Sequence, residues 1–181
     1  MKKKIILLIA VGIVLGGTAF GYHNINEKYP QAIVKEAVPG ETLEYQKGVL
    51  ISIDKAEILS EEETDKITSD SNIEPIADSR IINVTVVLKN TTQETQELFM
   101  TDINLVTDGM ANGISKTMAD SDSDFYGRLK QVLSPGETKK VTYPYEMLSS
   151  WFTENDWNHI EERDFWLSFS QYPVQTVLRL K

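Results

Sequence analysis

Apolar and polar residues alternate from Leu43 onward, and this pattern predicts a chain built mainly from β-strands. The clearest case is the stretch RIINVTVVLKN, in which every second residue is apolar: Ile82, Val84, Val86 and Leu88. A period of two indicates a strand with one buried face. The stretch VLISIDKAEIL has the same period but slips by one residue between Ile53 and Ala56, which predicts a β-bulge.

Further strands are separated by residues that favour turns. The stretch ELFMTDINLVTDG predicts one strand that is closed by the turn pair Asp108-Gly109. The stretch LKQVLSPGETKKVTYPYEM predicts two paired strands around Ser134–Glu137, because Pro135 presets the first turn angle. Two final strands are predicted in DFWLSFSQYP and VQTVLRL. This succession of short strands favours an immunoglobulin-like β-sandwich, and a small barrel is the alternative.

The stretch FTENDWNHIEER predicts one short helix within this β region. Thr153 is a suitable N-cap, and Asp156 stands three residues later, where a carboxylate supports the cap. Phe152 is placed to contact Trp157 across the first turn. The predicted fold class is therefore mainly β, an immunoglobulin-like β-sandwich with one short helix.

The amino terminus predicts a transmembrane helix in front of the sandwich. Lys2–Lys4 precede an uncharged and mostly apolar run from Ile5 to Tyr22. As a helix that rises about 1.5 Å per residue, the run spans roughly 27 Å, close to the roughly 30 Å of the hydrocarbon core. The lysines are expected to stay in the cytoplasm, so the rest of the chain would lie outside. The alternative is a cleaved signal peptide with a small-residue exit at residues 17–19.

Three regions follow from these patterns. Residues 1–22 are the predicted signal anchor, residues 23–42 a tether without sustained periodicity, and residues 43–181 an extracytoplasmic β-sandwich domain. Within the domain, Ser60–Ser79 is rich in acidic residues and poor in large apolar ones, so we expect a long exposed loop there.

Composition narrows the range of partners. The formal net charge is -9 at pH 7, and Lys2–Lys4 lie outside the predicted domain, which is therefore more acidic still. Such a surface repels phosphate backbones, so we expect no nucleic-acid binding. The chain has no cysteine, which excludes disulfides, thiolate metal sites, cysteine nucleophiles and a lipidated cysteine anchor.

The stretch DSDSDFYG raises the question of a calcium site. Asp120, Asp122 and Asp124 match the first, third and fifth positions of a calcium loop. The sixth position should be glycine and the twelfth glutamate, but they are Phe125 and Gln131. A solvated loop is therefore the favoured interpretation, and a looser cation site remains the alternative.

The sequence gives weaker evidence for a catalytic site or a ligand groove. Ser149 and Ser150 precede His159, but the strained Gly-x-Ser-x-Gly turn of serine hydrolases is absent. The aromatic cluster around Trp151, Trp157 and Trp166 could line a ligand groove, but such clusters are more often core packing. The sequence therefore predicts a non-enzymatic protein with no catalytic residues, no metal ligands and no cofactor.

The order of these elements resembles a known family. A lysine-led anchor and a tether are followed by GVLISIDKAEI, by INVTVVLKNTT, by a strand closing on Asp-Gly, by LSPGETKKVTYPYEM and by a final apolar strand. This order is similar to that of telokin-like, immunoglobulin-like domains of unknown function in membrane-anchored envelope proteins of Gram-positive bacteria. The resemblance covers residues 43–181 and implies a fold and a location. It implies no activity and no functional residues.

The functional expectation is a membrane-anchored, extracytoplasmic interaction module. It would be a single-pass protein of the cell membrane, in contact with the lipid bilayer through its amino-terminal helix. It would bind another envelope protein or an extracellular molecule, with the acidic segment Ser60–Ser79 as the expected contact surface. One alternative is an accessory or immunity-type component of an envelope transporter. Another is a sandwich that binds a small ligand or a cation.

Overall fold

The structure is a computed structural model that describes the backbone of residues 2–70 and 77–181 and the side chains of residues 11–69 and 77–181. It divides into two compact units, Met1–Ile33 and Val34–Lys181. Helix α1 (Lys2–Lys28) forms the first unit and extends beyond Tyr22 into the predicted tether. Within the described part of the chain, no helix is both long enough and apolar enough to cross a membrane. The side chains of residues 5–10, which belong to the predicted anchor, lie outside the described residues.

The second unit is built mainly from short strands. The described strands are β1 (Ile33–Ala37), β2 (Leu43–Gln46), β3 (Val49–Ile58), β4 (Ser79–Asn90), β5 (Gln96–Phe99), β6 (Asn104–Thr107), β7 (Met110–Gly113), β8 (Lys130–Leu133), β9 (Thr138–Leu148), β10 (Trp166–Ser168) and β11 (Val174–Arg179). The helices of this unit are α2 (Glu61–Asp70), α3 (Lys116–Ser121) and α4 (Glu154–Asn158), and 3₁₀ turns cover Met100–Asp102, Ser149–Trp151 and Ile160–Glu162.

The strands form two main sheets that enclose one core. One sheet has the order β2-β3-β4-β9, the other has the order β1-β11-β10-β6-β7, and β5 pairs with β8 in a short separate ladder. Ile51 and Val84 of the first sheet share a buried cluster with Leu105, Leu167 and Leu178 of the second. The fold is therefore a mainly β sandwich with a few helices, and the described strands form separate sheets rather than one closed barrel.

The strongest strand predictions are confirmed. The apolar residues at every second position of β4 all lie in the sandwich core: Ile82, Val84, Val86 and Leu88. The register between β3 and β4 shifts between Ile53 and Lys55, so the predicted bulge is present. In α4, the side chain of Thr153 accepts a hydrogen bond from the backbone N–H of Asp156, as the cap prediction requires.

The predicted pairing of the two strands around Ser134–Glu137 is wrong. The turn forms, with the N–H of Glu137 donating to the carbonyl of Ser134 over 3.0 Å. However, β8 pairs with β5, and β9 pairs with β4. The stretch predicted as one strand before Asp108 likewise divides into β5 and β6, which belong to different sheets. Turn residues specify that the chain reverses, but the choice of partner strand depends on which side chains can be buried together.

The predicted exposed loop at Ser60–Ser79 is wrong over its first half, which is helix α2. Ser60 and Glu63 form a capping box. The side chain of Glu63 accepts a hydrogen bond from the backbone N–H of Ser60 over 2.9 Å, and the backbone N–H of Glu63 donates to the hydroxyl of Ser60 over 3.3 Å. Thr64 and Thr68 are buried on the inner side of the helix. Residues 71–76 of the predicted loop lie outside the described residues.

Two further expectations differ from the structure. The expectation of one short helix in the domain is wrong, because α2 and α3 accompany α4. The segment predicted as a tether contains strand β1, which adjoins β11 in the five-stranded sheet. An ion pair of 2.7 Å between Glu36 of β1 and Arg179 of β11 crosses this pair of strands. Helix α3 and strand β1 are short, so their local patterns are weak and contacts with the sandwich determine them.

Two buried tyrosines differ in how their hydroxyl groups are satisfied. The Tyr45 hydroxyl lies 2.6 Å from the carbonyl oxygen of Phe99 and 2.5 Å from Oδ1 of Asp102. Burial, and then the neighbouring Asp102, raise the pKa of Tyr45, so it remains a donor. Tyr145 is fully buried, and its hydroxyl has no hydrogen-bond partner among the described residues.

We therefore expect Tyr45→Phe and Tyr145→Phe to affect stability differently. Tyr45→Phe removes the donor of two partly buried hydrogen bonds, one of them to the carboxylate of Asp102, and should lower the free energy of unfolding by about 1–3 kcal/mol. Tyr145→Phe removes a polar group that was buried at a cost, so stability should be unchanged within about 1 kcal/mol, or higher. Urea unfolding at pH 7 measures both values. An equal loss in the two variants would contradict this assignment.

The capping box of α2 gives a second prediction. Hydrogen bonds from Ser60 lower the pKa of Glu63, so the stabilisation is present above the ordinary pKa of glutamate and is lost as the pH falls through the lowered value. Ser60→Ala should therefore lower the free energy of unfolding by about 1 kcal/mol at pH 7, and the difference should narrow below about pH 4. Ser150→Ala, at an exposed serine, is the control. A pH-independent difference would argue against a role for the carboxylate.

Candidate functional site

Strand β4 turns its second face towards helices rather than towards the other sheet. Ile82 lies in the sandwich core, whereas its neighbour Ile81 packs in a separate buried cluster with Leu59 and Met118. Ile67 of α2 packs against the same cluster. Helices α2 and α3 therefore cover part of the outer face of the sheet that contains β4.

The loop after α3 extends this cover with an aromatic pair. Tyr126 is buried, and its hydroxyl donates to Oδ1 of Asn83 in β4 over 3.1 Å. Burial raises the pKa of Tyr126, which keeps the donor protonated. Phe125 is 56% exposed, and its ring meets that of Tyr126 edge to face with 4.8 Å between centroids. The loop is therefore attached by one aromatic residue and presents the other to solvent.

A groove of about 500 Å³ lies between α2 and this loop, and we call it the helical groove. Its lining residues are Leu59, Glu63, Lys66, Ile67, Asn83, Ser121, Asp122, Phe125 and Tyr126. Apolar and aromatic side chains provide contact area in such sites, and a few polar groups orient the ligand. The helical groove combines both and suits a partner segment that is partly apolar.

The charge beside the helical groove is mainly negative. Glu63 accepts hydrogen bonds from the hydroxyl and the backbone N–H of Ser60, which lower its pKa, so it is ionised at neutral pH. Glu62 and Asp65 are exposed on the same helix. A partner with basic side chains would therefore be attracted to this side of the domain.

The three aspartates of DSDSDFYG do not form a shared site. Asp120 belongs to α3 and pairs with Lys116 one turn earlier. Oδ1 of Asp122 accepts from the N–H of Phe125 over 3.1 Å, which closes a turn. Asp124 is exposed beyond that turn. Among the described residues, no group of three or more His, Cys, Asp or Glu side chains is placed to hold a metal ion.

The serines and the histidine of the predicted helix region are also not assembled into a catalytic group. Nδ1 of His159 lies 2.8 Å from the carbonyl oxygen of Asn155, and Asp156 pairs with Arg163 at 3.4 Å. No hydrogen bond within residues 149–163 joins His159 to Ser149 or Ser150.

The tryptophans follow the packing interpretation more closely than the ligand interpretation. Trp151 and Trp157 are partly buried against the core. Trp166 lies in β10, where the guanidinium of Arg179 stands 5.3 Å from the ring centroid.

The sequence patterns miss Asn83 and Tyr126, which line the helical groove and join the loop to β4. Asn83 is the polar member of an alternating strand and reads as solvent-facing, yet it is buried at 9% exposure beneath the loop. One local signal was present. The series Ser60-x-x-Glu63 is a capping box and predicts a helix start where acidic composition suggests a loop.

Comparisons with solved structures give several neighbours of low sequence identity. An uncharacterized β-sandwich protein from Clostridium difficile 630 is 16% identical, with a TM-score of 0.46 over 83% of this chain and 97% of that chain. A conserved hypothetical protein from Bacillus anthracis is 15% identical, with a TM-score of 0.48 over 80% and 94% of the two chains. The yjhA protein from Bacillus subtilis is 10% identical, with a TM-score of 0.47 over 80% and 98%.

Comparison with protein families identifies a family for this chain, whereas comparison with curated proteins does not. No curated protein is significantly similar to the chain. A family model described as "Domain of unknown function (DUF5028)" matches residues 28–176. These residues include α2, α3 and the loop of residues 123–128, which we call the aromatic loop.

The aromatic loop depends on a close backbone approach, which gives a third prediction. The N–H of Gly127 donates to the carbonyl of Thr142 over 2.9 Å, and a Cβ at Gly127 would clash with Cγ1 of Val141. Gly127→Ala should therefore displace the loop and lower the free energy of unfolding by about 1–3 kcal/mol. Chemical denaturation measures this loss.

The matched control is Gly113→Ala in β7. A Cβ there would meet only Oδ1 of Asn104, at 3.7 Å, an ordinary contact distance. This variant should be close to the parent in stability. If Gly127→Ala behaved like the control, the close approach of the loop to β9 would be refuted.

Proposed function

Because the chain belongs to the family of the domain of unknown function DUF5028, whose description assigns no activity, we propose a function from the residues themselves. The protein is a membrane-anchored, non-enzymatic binding module that acts outside the cytoplasm. The observation that carries the proposal is the helical groove, which combines the exposed ring of Phe125 with the acidic helix α2.

Anchoring is supported by the amino-terminal sequence. Lys2–Lys4 precede the uncharged run from Ile5 to Tyr22, and both belong to the continuous helix α1. A cationic cluster at one end of such a run favours retention of that end in the cytoplasm. The domain from Val34 onward would then lie on the opposite side of the cell membrane.

A binding role is supported by the surface of α2 and the aromatic loop. Phe125 is a large exposed aromatic residue beside a concave surface, and aromatic residues are enriched at the centres of protein interfaces. Glu63 of α2 lines the same groove, and Glu62 and Asp65 are exposed on the same helix. We propose that the partner is another envelope protein whose contact segment carries apolar and basic side chains.

The immunoglobulin-like, telokin-like class and the Gram-positive envelope belong to the same proposal. Two packed sheets enclose one core, and β4 and β6 belong to different sheets although only β5 lies between them in sequence. Both features support the immunoglobulin-like assignment. The order of elements from GVLISIDKAEI to LSPGETKKVTYPYEM supports the family of membrane-anchored envelope proteins.

Accessibility of single cysteines tests the proposed location, and the cysteine-free chain provides the background. Ser150→Cys, at an exposed position, should react with a membrane-impermeant maleimide in intact cells. Lys3→Cys should react only after the cells are permeabilised. The protein should also remain in the membrane fraction after alkaline extraction. Labelling of Lys3→Cys alone in intact cells, or an intact chain in the soluble fraction, would overturn the proposed location.

Site-specific photo-crosslinking tests the contact surface. A photoreactive residue replacing Phe125 should give a crosslinked product in cells, whereas the same residue replacing Tyr172, which is 53% exposed elsewhere, should not. Glu62→Lys/Asp65→Lys should abolish the product, since it reverses the charge beside the groove. Substitution is preferable to deleting α2, because deletion would uncover Ile81. Equal products from both positions would refute a specific surface.

A further inference from the structure

A second cleft lies on the other side of the aromatic loop, and we call it the basic cleft. It has a volume of about 480 Å³ and lies between β8, β9 and the loop residues 123–128. Four of the eighteen lysines and arginines of the chain line it: Arg128, Lys130, Lys139 and Lys140. The helical groove and the basic cleft share only Phe125 and Tyr126 as lining residues.

The basic cleft exists because β8 and β9 separate after their common turn. From Ser134–Glu137, β8 joins β5 and β9 joins β4, so no ladder of hydrogen bonds closes the space between them. The hydroxyl of Tyr143 in β9 donates to the carbonyl of Arg128 over 3.1 Å and attaches the loop beside the cleft. The result is a short cleft between two strands that both carry basic side chains.

Among the described residues, two of the four cations have no carboxylate partner. Lys130 pairs with Glu97 at 2.9 Å, and Lys140 pairs with Asp54 at 2.7 Å. Both pairs are exposed, so each contributes little to stability and can be exchanged for a ligand at small cost. Within the described part of the chain, neither Arg128 nor Lys139 forms an ion pair.

Neutral groups in the basic cleft also suit an oxyanion. The hydroxyl groups of Thr85 and Thr142 lie on neighbouring strands, 2.8 Å apart, and at least one of them can turn its proton towards a ligand. One carboxylate, that of Asp124, also lines the cleft. The cations outnumber it and include an arginine, whose planar donors match a phosphate group.

We propose that the basic cleft binds a single phosphate ester group, with Arg128 and Lys139 as its principal cationic contacts. The cleft, of about 480 Å³, has room for a phosphate group and part of the ester that carries it. A long polyanion is disfavoured, because it would extend over the acidic remainder of the domain. A soluble ester and the headgroup of an anionic lipid both carry this group, and the experiment separates these two sources.

Calorimetric titration of the full chain in a neutral detergent tests the proposal. Inorganic phosphate and glycerol 3-phosphate, added at constant ionic strength, should bind to the parent protein. Arg128→Gln/Lys139→Gln should weaken binding by at least about tenfold, because charge-assisted hydrogen bonds are lost. Lys47→Gln/Lys55→Gln removes the same charge outside the cleft and should change binding by less than about twofold.

A competition experiment with lipid micelles identifies the source of the phosphate. Micelles that contain phosphatidylglycerol should compete with soluble phosphate if the natural ligand is a headgroup, whereas micelles that contain phosphatidylcholine should not. Competition by neither lipid identifies a soluble ester. Both results support the proposal when binding depends on Arg128 and Lys139.

Three results would overturn the proposal. The first is the absence of phosphate binding at millimolar concentration. The second is equal weakening in the two double variants, which would indicate a general charge effect. The third is unchanged binding by Arg128→Gln/Lys139→Gln. Self-association of that variant would then indicate that the basic residues protect strand edges. If the double variant does not fold, Lys139→Gln is compared with Lys139→Arg, which should retain binding.

Discussion

Burial of β4 on both faces is the constraint around which the domain is arranged. One face packs against the second sheet through residues such as Val84, and the other is closed by α2, α3 and Tyr126. A central strand with apolar side chains on both faces needs a cover on each side, because each exposed apolar area costs about 25 cal/mol per Å². The first half of the acidic segment therefore folds as a helix with Ile67 directed inward, beside Leu59, which precedes the helix, although the composition suggests a loop.

The cover on the outer face of β4 is incomplete, and the helical groove and the basic cleft are the openings that it leaves. Tyr126 attaches the aromatic loop to Asn83, so the loop stands between α2 on one side and the open space beside β9 on the other. The helical groove is bordered by acidic side chains and the basic cleft by lysines and an arginine. A domain of negative net charge therefore presents two neighbouring surfaces of opposite sign, joined at the exposed ring of Phe125.

The free edge of β9 is covered by short polar contacts rather than by a further strand. The backbone N–H of Gly127 donates to the carbonyl of Thr142, and the backbone N–H of Ser115 donates to the carbonyl of Pro144. The side-chain amide of Asn112 donates to the carbonyl of Glu146. These contacts satisfy backbone groups that could otherwise pair with another chain. They also position the aromatic loop, because Gly127 has no side chain to hold it away from the strand.

Properties that depend on residues a few positions apart could be predicted from the sequence. They include the alternation of β4, the bulge after Ile53 and the cap at Thr153, because spacing alone decides which side chains share a face or reach a backbone N–H. The capping box at Ser60 was equally local and could have identified α2. The partners of β8 and β9 and both clefts were decided by the tertiary structure. Tyr126 and Asn83 are 43 residues apart, and contacts over such distances depend on which surfaces are buried together, which no local pattern specifies.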